Sequence, residues 1–325
     1  MTFHQAPEFI DALESTAAHF KMRSIFVEKD YWVTYALRNL ALSEFKSRVV
    51  FKGGTSLSKA HDCINRFSED IDLAIIKIDG MTDAQIKPLL KKVEGTVSAG
   101  LEYFQHPQEE KKGRNRRTFY HYTKTLKDNV FGRVKDDIQL EINSFTHPDP
   151  FEQKDVQSYV GKFLTVGKFT DLVVQYGLEP FSLNVLTRQR TMFEKLMSLI
   201  RFSYQGTDAV KGKIRHFYDI HQLMNQTDLK DQILIPENFR IIAMVKADDS
   251  AHTIFSGEWL NHPLADSPLF KNLPGSWKEL EATYKSELGE LIWGNLPASD
   301  DILKTLQDIK EYLAKFDSTH PAEER

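Results

Sequence analysis

A single cysteine, Cys63, stands in the 325 residues. It cannot close an internal disulfide, and no cysteine–histidine cluster has zinc spacing, so disulfide scaffolds and zinc modules are excluded. Long apolar runs are also missing. Nowhere do about 18 apolar residues follow one another, the length a membrane-spanning helix needs. The opening stretch Met1 to Glu8 has neither a basic region nor a long apolar one, which predicts no secretory leader. There is no excess of positive charge: 42 Lys and Arg face 46 Asp and Glu, for a net charge of −4. Bulk charge therefore does not advertise a nucleic-acid partner, which would have to meet a local basic patch. These absences predict a cytoplasmic protein with no membrane partner. Its length and 41% hydrophobic content suffice for a sizeable core and for two domains.

The chain has no internal repeat or low-complexity tract. Residues 7–43 read as two helices, with Trp32, Ala36, Leu37 and Leu40 at helical spacing in the second. Val49-Val50-Phe51 is a short apolar strand. It runs into Lys52-Gly53-Gly54-Thr55-Ser56, a turn leading to a helix over 56–63. Asp70 to Ile76 alternates and then becomes fully apolar, as a buried strand does, and Asp79-Gly80 closes it. A helix over 82–100 and strands over 118–124 and 137–145 follow. From about residue 187 the pattern is helical, over 188–204, 212–226, 237–246 and 299–316. We expect an α+β fold, a mixed sheet flanked by helices in residues 1–160, with a mainly helical domain over 161–325.

Three stretches carry chemistry. In Gly53-Gly54-Thr55-Ser56-Leu57-Ser58-Lys59 the glycines let the backbone approach phosphate oxygens, and Ser56 and Lys59 add side-chain contacts. The spacing is not that of a P-loop, and a Gly-Gly turn before a helix is ordinary by itself. In Ser68-Glu69-Asp70-Ile71-Asp72-Leu73 the two aspartates share one strand face. Side-by-side carboxylates repel unless a cation lies between them, and two-metal phosphoryl transfer needs such hard oxygen ligands for Mg²⁺ or Mn²⁺. The third stretch is the alternating strand 137–145. There Glu141 is either a third metal ligand or part of a polar outward face.

A glycine-hydroxyl turn, a helix, D-x-D on a strand and a later acidic strand residue form, in that order, a pattern that resembles the DNA polymerase β-like nucleotidyltransferases. A narrower resemblance rests on longer stretches. Lys52 to Lys59, with Arg66-Phe67-Ser68-Glu69-Asp70-Ile71-Asp72-Leu73, resembles the AbiEii/AbiGii toxins of abortive-infection, type IV toxin–antitoxin systems. Val27-Glu28-Lys29-Asp30-Tyr31-Trp32-Val33 is similar to that family's N-terminal helix. Arg190 to Leu196 and Arg215 to Leu223 are similar to its two C-terminal motifs. The matches run from about 27 to 224, and residues 225–325 carry no motif that can be placed.

On helix 188–204, Met192, Phe193, Leu196, Leu199 and Ile200 form the apolar stripe, while Thr191 and Lys195 share another face. Lys195 would neutralise charge on a triphosphate, with Asp219 holding Lys195 or Arg215 in place. Ordinary helix-surface pairs such as Arg190–Glu194 and Arg215–Asp219 are the structural alternative. The resemblance implies that Lys195 and Asp219 belong to the active site with Asp70 and Asp72, and that Gly53, Gly54, Thr55, Ser56 and Lys59 bind the nucleotide. It further implies transfer of NMP from an NTP to a tRNA 3′ end, growth arrest, and a separately encoded antitoxin. NMP transfer to a protein or small molecule, or a non-catalytic nucleotide-binding regulatory module, are the alternatives. The run Lys111-Lys112-Gly113-Arg114-Asn115-Arg116-Arg117 is either a hairpin tip for RNA phosphates or a solvated turn.

Overall fold

A computed structural model describes residues 2–78, 80–126, 136–253 and 255–321. Asp79, half of the turn expected after the D-x-D strand, lies outside the described residues. The chain divides into two compact units. One comprises residues 1–62 and 67–186, the other residues 63–66 and 187–325. The division thus falls at Leu186 and Thr187, not near 160. The reason is that residues 151–186 complete the sheet.

The first unit contains helices α1 (Phe9–Phe20) and α2 (Ser24–Ala41), strand β1 (Val49–Lys52), helix α3 (Gly53–Lys59) and strand β2 (Ile71–Ile75). Next come α4 (Asp83–Val97), β3 (Glu102–Phe104), β4 (Glu110–Lys111), β5 (Asn115–His121) and β6 (Ile138–Asn143). It ends with β7 (Phe151–Val156), α5 (Tyr159–Val166), α6 (Thr170–Tyr176) and β8 (Phe181–Leu186). The strands form one mixed sheet in the order β3-β5-β6-β2-β1-β8-β7, with β4 on β5. β2 sits in the middle, antiparallel to β1 and parallel to β6. Its apolar run Leu73-Ala74-Ile75 is buried on both faces, as a central strand requires. The fold is therefore α+β with a mixed sheet flanked by helices, as expected.

Alternation decides which residues face the core. Phe51, Ile71, Leu73, Leu140 and Ile142 pack with Tyr31, Trp32 and Leu37 of α2, Leu13 of α1 and Leu90 of α4. Register pairs Lys52 with Asp72 and Asp72 with Glu141, so these charged residues share the opposite face.

α2 is buried almost all round, and its burial includes the consecutive charges Glu28, Lys29 and Asp30. Each has a partner. Lys29 Nζ lies 2.6 Å from Glu69 Oε2, Asp30 pairs with Lys59, and Glu28 accepts the backbone N–H of Thr125. A buried charge left alone costs several kcal/mol, so these pairs fix α2 against the segments before β2 and after β1.

The second unit comprises α7 (Arg188–Ser203), α8 (Thr207–Lys211), α9 (Arg215–Met224), α10 (Phe239–Ser250), α11 (Pro268–Lys271), α12 (Leu273–Leu288) and α13 (Ser299–Thr319). Thr187 caps α7 by accepting the Arg190 N–H, and the predicted stripe Met192, Phe193, Leu196, Leu199 and Ile200 is fully buried. Ile302, Leu306, Ile309, Leu313 and Phe316 do the same on α13. Residues 63–66 join this unit through the bridge between Arg66 and Ile292. Among the described residues no helix is long and apolar enough to cross a membrane.

Replacing Asp30 by Asn should lower the unfolding free energy by about 3–5 kcal/mol, because the Lys59 ammonium is left buried without its counter-charge. Pairing that change with Lys59→Met should restore a large part of the loss. Denaturant titration of the two variants checks this. A single variant as stable as the parent would show that the pair does not hold α2 in place.

Candidate active site

The glycine turn and the aspartates meet at the end of two adjacent strands. Gly53 follows β1 and holds φ at +79°, a left-handed conformation that favours glycine. A Cβ built at Gly53 would stand 2.1 Å from Asp72 Oδ2. The Asp72 carboxylate thus occupies the space any side chain at 53 would need. Asp70 lies one residue before β2, and a hydroxyl latch fixes it. The buried Thr55 Oγ1 donates to the Asp70 carbonyl at 2.6 Å and lies 2.9 Å from Ser68 Oγ. Asp70 Oδ1 itself is buried and has no hydrogen-bond partner among the described residues.

The remaining predicted nucleotide contacts divide. Gly54 sits in the first turn of α3 beside Gly53. Ser56 Oγ donates to the Gly53 carbonyl at 2.9 Å, so its proton closes the turn. Lys59 does not face the turn. Its ammonium is buried in the pair with Asp30, 5.6 Å from the Tyr159 ring centre, and burial draws its pKa below the ordinary lysine value against the pull of Asp30. Lys59 therefore has a place in the core, where a cation is tolerated because Asp30 meets it.

Glu141 is the cross-strand neighbour of Asp72, as the adjacent-strand expectation required. Its Oε2 receives Arg117 Nε at 3.0 Å from β5. Burial works against the Arg117 charge, but Glu141, with Glu110 and Asp72, holds the guanidinium firmly protonated. The row Asp72, Glu141, Arg117 thus crosses three strands on one face. Among the described residues no three His, Cys, Asp or Glu side chains converge as a complete metal cage. Two carboxylates nevertheless suit Mg²⁺, which takes one or two from protein and fills its octahedron with water and substrate phosphates. The buried, unpartnered Asp70 Oδ1 and the Asp72 oxygen set in the glycine notch would be those two donors.

In the helical unit Asp219 is fully buried and receives two cations. Arg66 grips it with Nε at 2.6 Å and Nη2 at 2.7 Å, and Lys195 Nζ lies 2.8 Å away. Burial alone would raise this carboxyl, but Arg66 and Lys195 outweigh it and hold the group well below the ordinary carboxylate range. Burial, and then the Lys195 charge, push the adjacent His216 down, which keeps that imidazole neutral. The partner of Asp219 is thus Lys195, as one reading expected, but with Arg66 in place of Arg215. Arg66 was legible as a cation four residues before Asp70 inside the D-x-D motif, yet nothing in its spacing disclosed a partner at 219.

The basic run forms a β4–β5 hairpin, and each of its cations is taken. Lys111 pairs with Glu109, Lys112 with Glu110, Arg114 with Asp83, Arg116 with Glu94 and Arg117 with Glu141. Acidic neighbours therefore blunt the positive field expected there.

Asp70 and Asp72 thus stand beside a glycine notch on a mixed sheet, an arrangement chemically suited to a cation and to phosphate oxygens. The family model of the AbiEii nucleotidyl transferase toxins of type IV toxin–antitoxin systems matches residues 35–314. The chain belongs to that family, and so to nucleotidyltransferases that act beside a separate antitoxin. It is similar to the solved structure of MenT4, a nucleotidyltransferase toxin from Mycobacterium tuberculosis H37Rv, at 15% identity over 94% of this chain and 98% of that one, with a TM-score of 0.44. No curated protein matches the sequence significantly.

Two outcomes are expected. Gly53→Ala should lose nearly all transfer, because the methyl group displaces Asp72. Gly80→Ala, with φ of +80° but open space around it, should pay only backbone strain of about 1–2 kcal/mol and keep its activity. Assays of both purified variants check this. Asp219→Asn should cost about 3–5 kcal/mol at neutral pH. A depressed carboxyl contributes its full stability above the unfolded value of about 4 and loses it only as pH falls further. The stability gap between parent and variant should therefore stay constant down to about pH 4 and narrow below it, as denaturant midpoints against pH would show.

Proposed function

We propose that the chain transfers NMP from an NTP to an acceptor hydroxyl, with a tRNA 3′ end as the acceptor and growth arrest as the result. The observation that carries the reading is the apposition of Asp72 with the missing Cβ of Gly53, beside the buried, unpartnered Asp70 Oδ1. Asp70 and Asp72 would hold Mg²⁺ or Mn²⁺, with Glu141 as the neighbouring carboxylate. Bound there, the ion supplies charge neutralisation on the transferring phosphoryl group. Gly53 and Gly54 give phosphate oxygens close access to the backbone. Thr55 and Ser56 keep that turn and Asp70 in register by hydrogen bonds already made within the protein. The acceptor oxygen bonds to the α-phosphorus, its proton is released, and pyrophosphate departs.

In the helical unit Lys195 is assigned the charge of the leaving pyrophosphate. Asp219 orients it, and Arg66 keeps Asp219 ionised. Two cations converge on this single carboxylate, so the three groups together remain positive and suit an anion. Lys59 has a positioning role through Asp30. The family's link to a separate antitoxin supports the toxin reading. The acceptor identity rests on the resemblance alone.

Incubation with each labelled NTP, Mg²⁺ and total cellular RNA should place label on tRNA. Label on protein or on a small molecule would defeat the tRNA assignment and leave the transfer chemistry standing. In a bacterium, expression of the chain without its antitoxin should stop growth and leave tRNA unchargeable, whereas the Asp70→Asn chain should be tolerated. Equal arrest by both chains would point to a binding poison. Lys195→Ala should reduce turnover far more than Lys111→Ala at saturating NTP, because Lys111 is spent on Glu109 at an exposed hairpin. Arg66 still pairs with Asp219 in that variant, so the fold should survive.

A further inference from the structure

A cavity of about 370 Å³ opens in the sheet-bearing unit between α2, the N-terminal residues and the loop after α6. Its α2 wall consists of Tyr31, Thr34, Tyr35 and Arg38. Tyr31 belongs to the helix layer that packs on the Phe51 and Leu73 face of the sheet, whereas Asp72 and Glu141 occupy the other face. The cavity is therefore separate from the carboxylate site. Its size is that of a small-molecule site.

Two charges on its wall are unspent. Arg38 lines the cavity, and among the described residues its guanidinium has no ion-pair partner. Glu179 lines it as well, and its Oε2 is buried without a hydrogen-bond partner. Lys29, Asp30, Lys59 and Glu69 of the same unit are by contrast all paired. The two groups are close in the fold. A Cβ at Gly177 would stand 2.7 Å from Arg38 Nη2, and Gly177, with φ of +63°, precedes Glu179 by two residues, a step of at most about 7 Å. Opposite charges are thus held near one another in one cavity, yet they do not close on each other. A buried carboxylate oxygen without a donor is costly, and a ligand that donates to it recovers that cost. Phe3 and Tyr176 complete an aromatic lining.

We propose that this cavity binds a free α-amino acid. Its carboxylate meets the Arg38 guanidinium in bidentate fashion, its ammonium donates to Glu179 Oε2, and its side chain lies against the aromatic rings. A zwitterion supplies an anion and a donor a few ångströms apart, which is what the two unspent groups require together. A nucleotide would bring its phosphate to Arg38 but no cation to Glu179.

The test is calorimetric titration of the full chain with the twenty amino acids, one at a time. The methyl ester and the N-acetyl derivative of the best binder, and nucleoside monophosphates, serve as controls. Saturable binding of at least one amino acid is expected. Affinity should fall at least tenfold when the ester removes the anion and again when acetylation removes the ammonium. Arg38→Met and Glu179→Gln should reproduce these two losses separately. The derivatives act on the unaltered protein, so the result does not depend on either variant folding. Absence of saturable binding by every amino acid would overturn the proposal. So would binding that survives both derivatives, or nucleotide binding that is tighter and is lost in Arg38→Met. Catalysis plays no part in the readout, so failure here leaves the transferase reading untouched.

Discussion

The charges buried in α2 are the constraint on which the sheet-bearing unit depends. Lys29 and Asp30 are neighbours in sequence, and they reach in two directions. One holds Glu69, just before the D-x-D strand, and the other holds Lys59, at the end of the helix that follows the glycine turn. Neither pair can be broken without leaving an ion in the core. The two motif segments are therefore referred to one turn of one helix. Thr55 then ties them directly through the Asp70 carbonyl, and the notch at Gly53 receives Asp72. The order of motifs along the chain becomes a rigid arrangement of carboxylates through these contacts.

The same accounting explains the distribution of charge. The sequence is nearly balanced in sign, and among the described residues many cations are paired with nearby acids. The β4–β5 hairpin is basic in sequence but nearly neutral in effect, since five cations there face five carboxylates. The cluster at Asp219 differs, because two cations share one acid. A positive residue count along a stretch is thus a poor guide to field, and pairing decides it.

Some of this was legible in the sequence. The place of Asp72 on a central strand, with Asp70 just before it, was legible because the apolar run after them marks a strand buried on both faces. The stripe of α7 followed from helical spacing in the same way. Other features were hidden for physical reasons. The burial of Glu28, Lys29 and Asp30 was not legible, because a charged triplet on a helix is usually solvated. Their burial depends on partners 40 and 29 residues away for Lys29 and Asp30. Lys59 read as a phosphate contact from its place after the glycine turn, because its pairing with Asp30 is equally remote in sequence. Strands β7 and β8 were missed because β7 alternates with charged residues on an edge, which placed the domain boundary too early. Helix α12 opens Leu273-Pro274-Gly275, a turn signature that a helix accepts in its first turn.

The central claim is that the two aspartates set against the glycine notch carry the transfer chemistry. Single-turnover NMP transfer by the parent, Asp70→Asn and Asp72→Asn, with unfolding curves for all three, tests it most directly. Each variant should retain the parent's unfolding transition and lose at least about a hundredfold in rate, the loss expected when a principal electrostatic stabiliser is removed. Near-parental Mg²⁺-dependent transfer by a folded Asp72→Asn chain would contradict the account.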